Sequence, residues 1–364
     1  MRILVIKLKQ IGDVLLAEPA LRFLKKIYPK AHLTVLVNDC AIPVLANASY
    51  IDRLLGYKRN LKKLSLFQRI KGEIEFSQLF AKEKYDMILS FSSGDRSAIY
   101  TLLSKGKYKV GWYSKKGLWG KNKFYDLLLK EPNTHAVLHD LFMVVKVTGI
   151  RPKEIKVNFY IPNEEIEKIS KKLKTFGVTQ HDKIILIHPV ANWLFKCWRD
   201  DYMAEIINWL IEQGVKVILT AGKNKKELNR ISQIMKNVRF KIINLAGQLN
   251  LIELAAVIWH SHLFFGVDTA PMHIAAALNK PVISLFGPTS PFHWGPWDNN
   301  QQVFFLKSPY KEKGFQTYGK HVVLQKDWAC VPCEKDGCNK TKISRCLYEI
   351  KPKEVKKILE QKLN

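Results

Sequence analysis

No apolar run in the sequence approaches the ~20 residues that a membrane-spanning helix requires. The opening stretch, MRILVIKLKQIGD, stops being apolar at Lys7. That is too short for a signal-peptide core, so it reads as a first strand and the expected location is the cytoplasm. Cysteine is scarce, with 6 in 364 residues, and such a compartment disfavours disulfides. Acids are also in short supply: 32 Asp and Glu face 59 Lys and Arg, a net charge of +27. Residues 1–150 alone hold 26 basic and 12 acidic side chains, a net +14. An imbalance of this size implies an anionic partner, whether nucleic acid, an acidic membrane face or a phosphorylated substrate. Charge alone does not choose among them.

What is present is an α/β pattern long enough for two domains of ordinary size. In the first half, strand Arg2–Leu8 leads through a turn into helix Val14–Tyr28, where Pro19 marks a kink or the start of the regular part. Strands His32–Val37 and Asp86–Phe91 follow, and Val157–Tyr160 reads as the last strand. Residues 57–84 read as a basic loop entering an amphipathic helix, with Leu66, Phe67, Ile70 and Ile74 on one side. The stretch Tyr108–Lys123 has Trp112, Tyr113 and Trp119 interleaved with lysines and contains no acid between Tyr108 and Lys123. Such a stretch suits either stacked single-stranded bases or a bilayer interface. Within 160–182 the chain crosses into a second series of strands, Ile184–His188, Val215–Thr220, Lys241–Asn244, Leu263–Val267 and Val282–Phe286, alternating with helices. That alternation predicts a second parallel sheet.

Phe264–Pro291 is the most informative stretch. An apolar strand stops at Asp268-Thr269, two good capping residues, and Pro271 falls in a first helical turn. A helix N-terminus opening at a strand's C-terminal end presents free N–H groups and partial positive charge, which suits a phosphate. Gly12-Asp13 after the first strand and Ser92–Arg96 after Asp86–Phe91 occupy equivalent places, where α/β sheets receive ligands. Lys7, Lys9 and Arg96 are candidates for contact with an anionic acceptor. Cys330, Cys333, Cys338 and Cys346 include one close pair, a spacing that zinc sites share, although reduced core thiols are the preferred reading.

GVDTAPMHIAAALNKPVISLFGPTSP resembles the donor-site signature of the ADP-heptose:lipopolysaccharide heptosyltransferases, the family-nine glycosyltransferases. ILVIKLKQIGDVLLAEPALRFLKKIYP resembles their N-terminus. HPVANWLFKCW and DWACVPCEKDGCNKTKISRCL extend the likeness, and with DTAPMH they point to the core heptosyltransferase III branch. The resemblance implies a GT-B fold: α/β, two Rossmann-like domains with parallel sheets facing a central cleft. Residues 1–165 would take the acceptor, 166–349 the ADP-sugar, and 350–364 would form a helix packing back on the first domain.

The implied activity is inverting, metal-independent transfer of L-glycero-D-manno-heptose from ADP-heptose to the inner core of lipopolysaccharide, heptose III onto heptose II in this branch. Asp13 would be the base and Lys196 would reach the leaving group. Asp268, Thr269, Ala270 and His273 would hold the diphosphate, Glu227 near Gly222 the ribose, and Gln248 and Leu249 would border the adenine. Gly12 would join Lys7, Lys9 and Arg96 at the acceptor. No cofactor is implied. The partners would be the lipid A–inner core oligosaccharide and the anionic inner-membrane surface, with attachment peripheral and nucleic acid not expected. The alternatives are heptosyltransferase II, another ADP- or UDP-sugar enzyme of the same fold, or a basic nucleic-acid-binding protein without enzymatic activity.

Overall fold

Two α/β units, residues 1–160 and 161–364, make up the computed structural model, in which residues 1–58, 65–302 and 305–363 are described. In the first unit the chain runs β1 (Arg2–Lys7), α1 (Ile11–Leu16), α2 (Glu18–Ile27), β2 (His32–Asn38), α3 (Ile42–Leu45), β3 (Arg53–Tyr57), α4 (Leu66–Ala81), β4 (Met87–Ser90), α5 (Asp95–Leu103), β5 (Tyr108–Trp112), β6 (Leu127–Leu129) and α6 (Ala136–Thr148). Its sheet is parallel, in the order β3-β2-β1-β4-β5-β6. The central strands are near-continuous apolar runs because helices cover both faces of a parallel sheet. From Ile3 to Ile6, β1 is fully buried.

Pro19 divides the expected long helix. The first stretch ends at Ala17, and Pro19 sits in the first turn of α2, where its missing N–H removes no bond. Val157–Tyr160 is not a strand. Its backbone is claimed by side chains of α2: Asn158 N donates to Glu18 Oε2 at 3.0 Å, and Arg22 Nη2 donates to the Lys156 carbonyl at 2.6 Å. The helix expected after residue 65 is present, but its packing differs from the amphipathic reading. Glu73, Phe76 and Phe80 of α4 pack toward Tyr57 and Tyr100, whereas Phe67, Ile70 and Ile74 are exposed. The loop before it, residues 59–64, and the side chain of Leu66 lie outside the described residues.

The second unit continues with α7 (Asn163–Thr175), β7 (Ile184–His188), α8 (Asp200–Glu212), β8 (Lys216–Leu219), α9 (Lys225–Met235), β9 (Ile243–Asn244), α10 (Leu251–His260), β10 (Leu263–Val267), α11 (Ala270–Ala277), β11 (Val282–Leu285), α12 (Pro291–Trp294), β12 (Gln316–Tyr318), β13 (His321–Leu324), α13 (Arg345–Tyr348) and α14 (Pro352–Leu363). The sheet order is β12-β13-β11-β10-β7-β8-β9, parallel except for the antiparallel edge pair β12–β13. The closing helix packs within the second unit. In α14, Val355, Ile358 and Leu359 join Ile206, Ile207 and Leu210 of α8 in the core of the second unit, and Lys356 pairs with Glu205 at 2.8 Å.

Candidate active site

Strand order reverses between β7 and β10, and ligands of open α/β sheets bind at the carboxyl ends of strands at such a point. The loop leaving β7 makes a short 3-10 turn, Leu194–Lys196. Buried Phe195 and Cys197 pin it on either side. Ser344 Oγ donates to the Phe195 carbonyl at 2.7 Å, and Ala191 N donates to Cys197 Sγ at 3.3 Å. The turn sets Lys196 Nζ 2.6 Å from Asp268 Oδ2. Thr289, just after β11, donates its hydroxyl to the same oxygen at 2.8 Å. Burial pushes the Asp268 carboxyl pKa up, but the Lys196 ammonium outweighs it and holds the group below the usual carboxylate range.

Thr269 is the N-cap of α11, yet its side chain makes no capping bond; its hydroxyl donates back to the Val267 carbonyl at 3.3 Å. The first-turn N–H groups, starting at Ala270, are thus free of side-chain caps. His273 is buried in this helix. On the neighbouring strand end, Glu227 is bound by its own loop. Gly222 N donates to Oε2 at 2.7 Å, and Asn224 Nδ2 makes a short bond to Oε1. A Cβ at Gly222 would meet that carboxylate at 2.7 Å. Beyond β9, exposed Gln248 donates to the Asn244 carbonyl at 2.9 Å, and Leu249 is buried.

In the first unit the corresponding reversal lies between β1 and β4. Gly12 and Asp13 stand half-buried in the first turn of α1, directly after β1. Among the described residues, no hydrogen bond or ion pair engages the Asp13 carboxylate. Lys9 is exposed. Two expected acceptor contacts are engaged elsewhere. Lys7 is buried, with Nζ 2.5 Å from Asp140 Oδ2, because an ammonium at this depth needs a counter-charge. Arg96 pairs with Glu73 at 3.2 Å and lies over the Tyr57 ring.

A profile of glycosyltransferase family 9 (heptosyltransferase) matches residues 74–321. The chain is 32% identical over 305 residues to a lipopolysaccharide heptosyltransferase 3 of Escherichia coli, covering 83% of this chain and 87% of the relative. It belongs to glycosyltransferase family 9, the heptosyltransferases. Among solved structures, a family 9 glycosyl transferase from Veillonella parvula superposes with a TM-score of 0.80 at 20% identity, covering 100% of this chain and 97% of the other. The E. coli ADP-heptose heptosyltransferase II gives 0.76 at 20% identity, covering 100% and 98%. At these identities the likeness establishes the fold, the GT-B class expected above.

Lys196, Asp268 and Thr289 of this family 9 enzyme lie inside the matched profile; Asp13 and the cysteine tail lie outside it. Thr289 was missed because nothing in Gly287-Pro288-Thr289 marks a ligand until β11 is laid beside β10. Cys346 is buried, which pushes its thiol pKa up to about 11. Among the described residues no three His, Cys, Asp or Glu side chains are grouped to hold a metal ion. Trp112, read as an interface residue, is buried, whereas Trp119 is 92% exposed. No helix among the described residues is long and apolar enough to cross a membrane.

Proposed function

We propose that this enzyme transfers L-glycero-D-manno-heptose from ADP-heptose to the inner core of lipopolysaccharide, with inversion and without a metal. The observation that carries the donor half is Lys196, held at 2.6 Å on buried Asp268 beside the uncapped start of α11. Fixed cationic groups at that edge stabilise the charge that develops on a departing diphosphate. The sequence also lacks the Asp-x-Asp pattern through which metal-dependent glycosyltransferases hold their ion. The acceptor hydroxyl attacks the anomeric carbon, its proton passes to Asp13, and the bond to the diphosphate breaks with both electrons leaving on ADP. The 32% identity to the heptosyltransferase 3 of E. coli supports heptose III as the sugar transferred. Asp13→Asn is expected to lower transfer by roughly 10²–10⁴-fold while leaving ADP affinity, read by calorimetry, as in the wild type. Normal turnover by this variant removes Asp13 from the role of base.

The acceptor is a lipid, and peripheral attachment to an anionic membrane forms part of the same proposal. Three neighbouring elements of the first unit support it. Phe67 (78% exposed), Ile70 and Ile74 make an uncovered stripe on α4, Leu102 and Leu103 stand out on α5, and Trp119 projects from the loop after β5. Acids of this region are already paired, Glu73 with Arg96, Asp86 with Lys107 and Asp95 with Lys121, which leaves lysines such as Lys115 and Lys116 to face an anionic surface. Flotation with anionic liposomes at low salt is expected, falling several-fold in a Phe67→Asp, Ile74→Asp double variant. Equal flotation with neutral liposomes counts against the electrostatic part.

A further inference from the structure

The strand-order reversal of the first sheet holds groups to which the reaction above gives no task. Lys7 ends β1 and pairs with Asp140 of α6 at 2.5 Å. The other oxygen of Asp140 lies 3.0 Å from His139 Nδ1. The His139 ring is backed by Trp112 at the end of β5, with centroids 4.4 Å apart. Its Nε2 faces Glu131, in the loop after β6, at 3.8 Å. Glu131 is half-exposed and is also within reach of the charge of exposed Lys9. Lys7 therefore balances Asp140 inside the fold, and a single remaining carboxylate stands between two cations at the surface.

A histidine serving only packing closes both of its nitrogens on partners. Here one side is closed and the other is not, since 3.8 Å is beyond a hydrogen bond and the ring keeps 23% of its surface exposed. The groups facing it are Asp140, Glu131, Lys7 and, through Glu131, Lys9. Burial opposes a charge on the ring, but the hydrogen bond to Asp140 and the negative charge of Glu131 beside the open nitrogen outweigh it and raise the His139 pKa. An imidazolium with one open N–H, and a lysine whose charge reaches the same carboxylate, make a donor set for an anionic oxygen.

We propose that His139 and Lys9 form an anion subsite of the acceptor site, which takes a phosphate or carboxylate carried by the acceptor and displaces Glu131 from the imidazolium. The identification of the ligand as the acceptor rests on the heptosyl-transfer reading; the anion chemistry does not. Lys9 thereby gains a specific partner, and Lys7 and Asp140 are positioning residues that orient the ring.

Two acceptor analogues that differ only in one phosphate group test it, with KM for ADP-heptose as the control on the donor site. Wild type is expected to favour the phosphorylated analogue by roughly tenfold in KM. His139→Gln and Lys9→Gln are each expected to bring that ratio toward one, and Glu131→Gln, which removes the competing carboxylate, to raise it at acid pH. An unchanged ratio in His139→Gln overturns the proposal. A second readout does not depend on turnover: in histidine side-chain NMR of the whole protein, inorganic phosphate should shift the His139 resonance and raise its titration midpoint. If neither analogue is turned over, a phosphate-dependent midpoint still upholds the anion site, and a midpoint insensitive to phosphate refutes it.

Discussion

At the end of β1 the ammonium of Lys7 lies 2.5 Å from Asp140, and in the loop after β7 that of Lys196 lies 2.6 Å from Asp268. Both pairs sit where the strand order of their sheet reverses. They differ in what is left open. Lys7 and Asp140 retain 9% and 1% of their side-chain surface, so the pair is all but sealed, with the part-exposed His139 beside it. Lys196 retains 19% and stands beside the uncapped start of α11. Taking two charges out of water costs about as much as their attraction returns. A sealed pair therefore serves to order its surroundings, whereas a pair with an open lysine aims a cation at a ligand.

The sharpest way to break this comparison is to remove one partner from each pair. Lys7→Met strands a buried carboxylate, and an unfolding free energy lower by about 3–5 kcal/mol is expected from denaturant melts. Lys196→Gln keeps a hydrogen-bond donor for Asp268, and Thr289 remains on the same oxygen, so its loss should be clearly smaller. Equal losses would mean that the two pairs do the same work.

Acidity sharpens the contrast on a smaller scale. In the second unit, burial lowers the His188 pKa to about 4, with its ring against Thr220. A depressed folded pKa contributes stability that is present above the unfolded value of about 6.5 and is lost as pH falls toward the folded one. In the first unit the raised pKa of His139 works in the opposite direction. Its contribution is complete below about 6.5 and is lost as pH rises through the folded pKa. The lowered carboxyls of Asp140 and Asp268 add a loss in both units only at strongly acid pH. Amide exchange resolved by peptide should therefore show the second unit loosening between about pH 6.5 and 4, and peptides around α6 loosening as pH rises above about 6.5. Parallel profiles in the two units would contradict the assignment.

The parts of the fold that were legible in the sequence are those encoded locally. Pro271, the capping pair Asp268-Thr269 and the apolar run before them specify strand, turn and helix within a dozen residues, and Lys196 stands out between apolar neighbours. The parts that were not legible depend on partners far away along the chain. Lys7 meets Asp140 across 133 positions, so the sequence shows a strand-end lysine and an acid in an apolar helix but not their pairing. Periodicity identifies an apolar side on α4 without saying what covers it, and the structure leaves Phe67, Ile70 and Ile74 of that side exposed. Val157–Tyr160 has the composition of a strand, but Glu18 occupies the Asn158 N–H and Arg22 the carbonyl of Lys156 just before it. The apolar side of the lysine-rich α14 meets residues of α8 about 150 positions earlier, a contact that periodicity alone does not name.

Calorimetric titration of Lys196→Gln with ADP and with adenosine tests the central claim most directly, because it isolates the diphosphate from the base. Loss of a charge-assisted contact is expected to weaken ADP by roughly ten- to a hundredfold and to leave adenosine as in the wild type. ADP binding equal to that of the wild type would contradict the claim that this edge of the second sheet holds the leaving group.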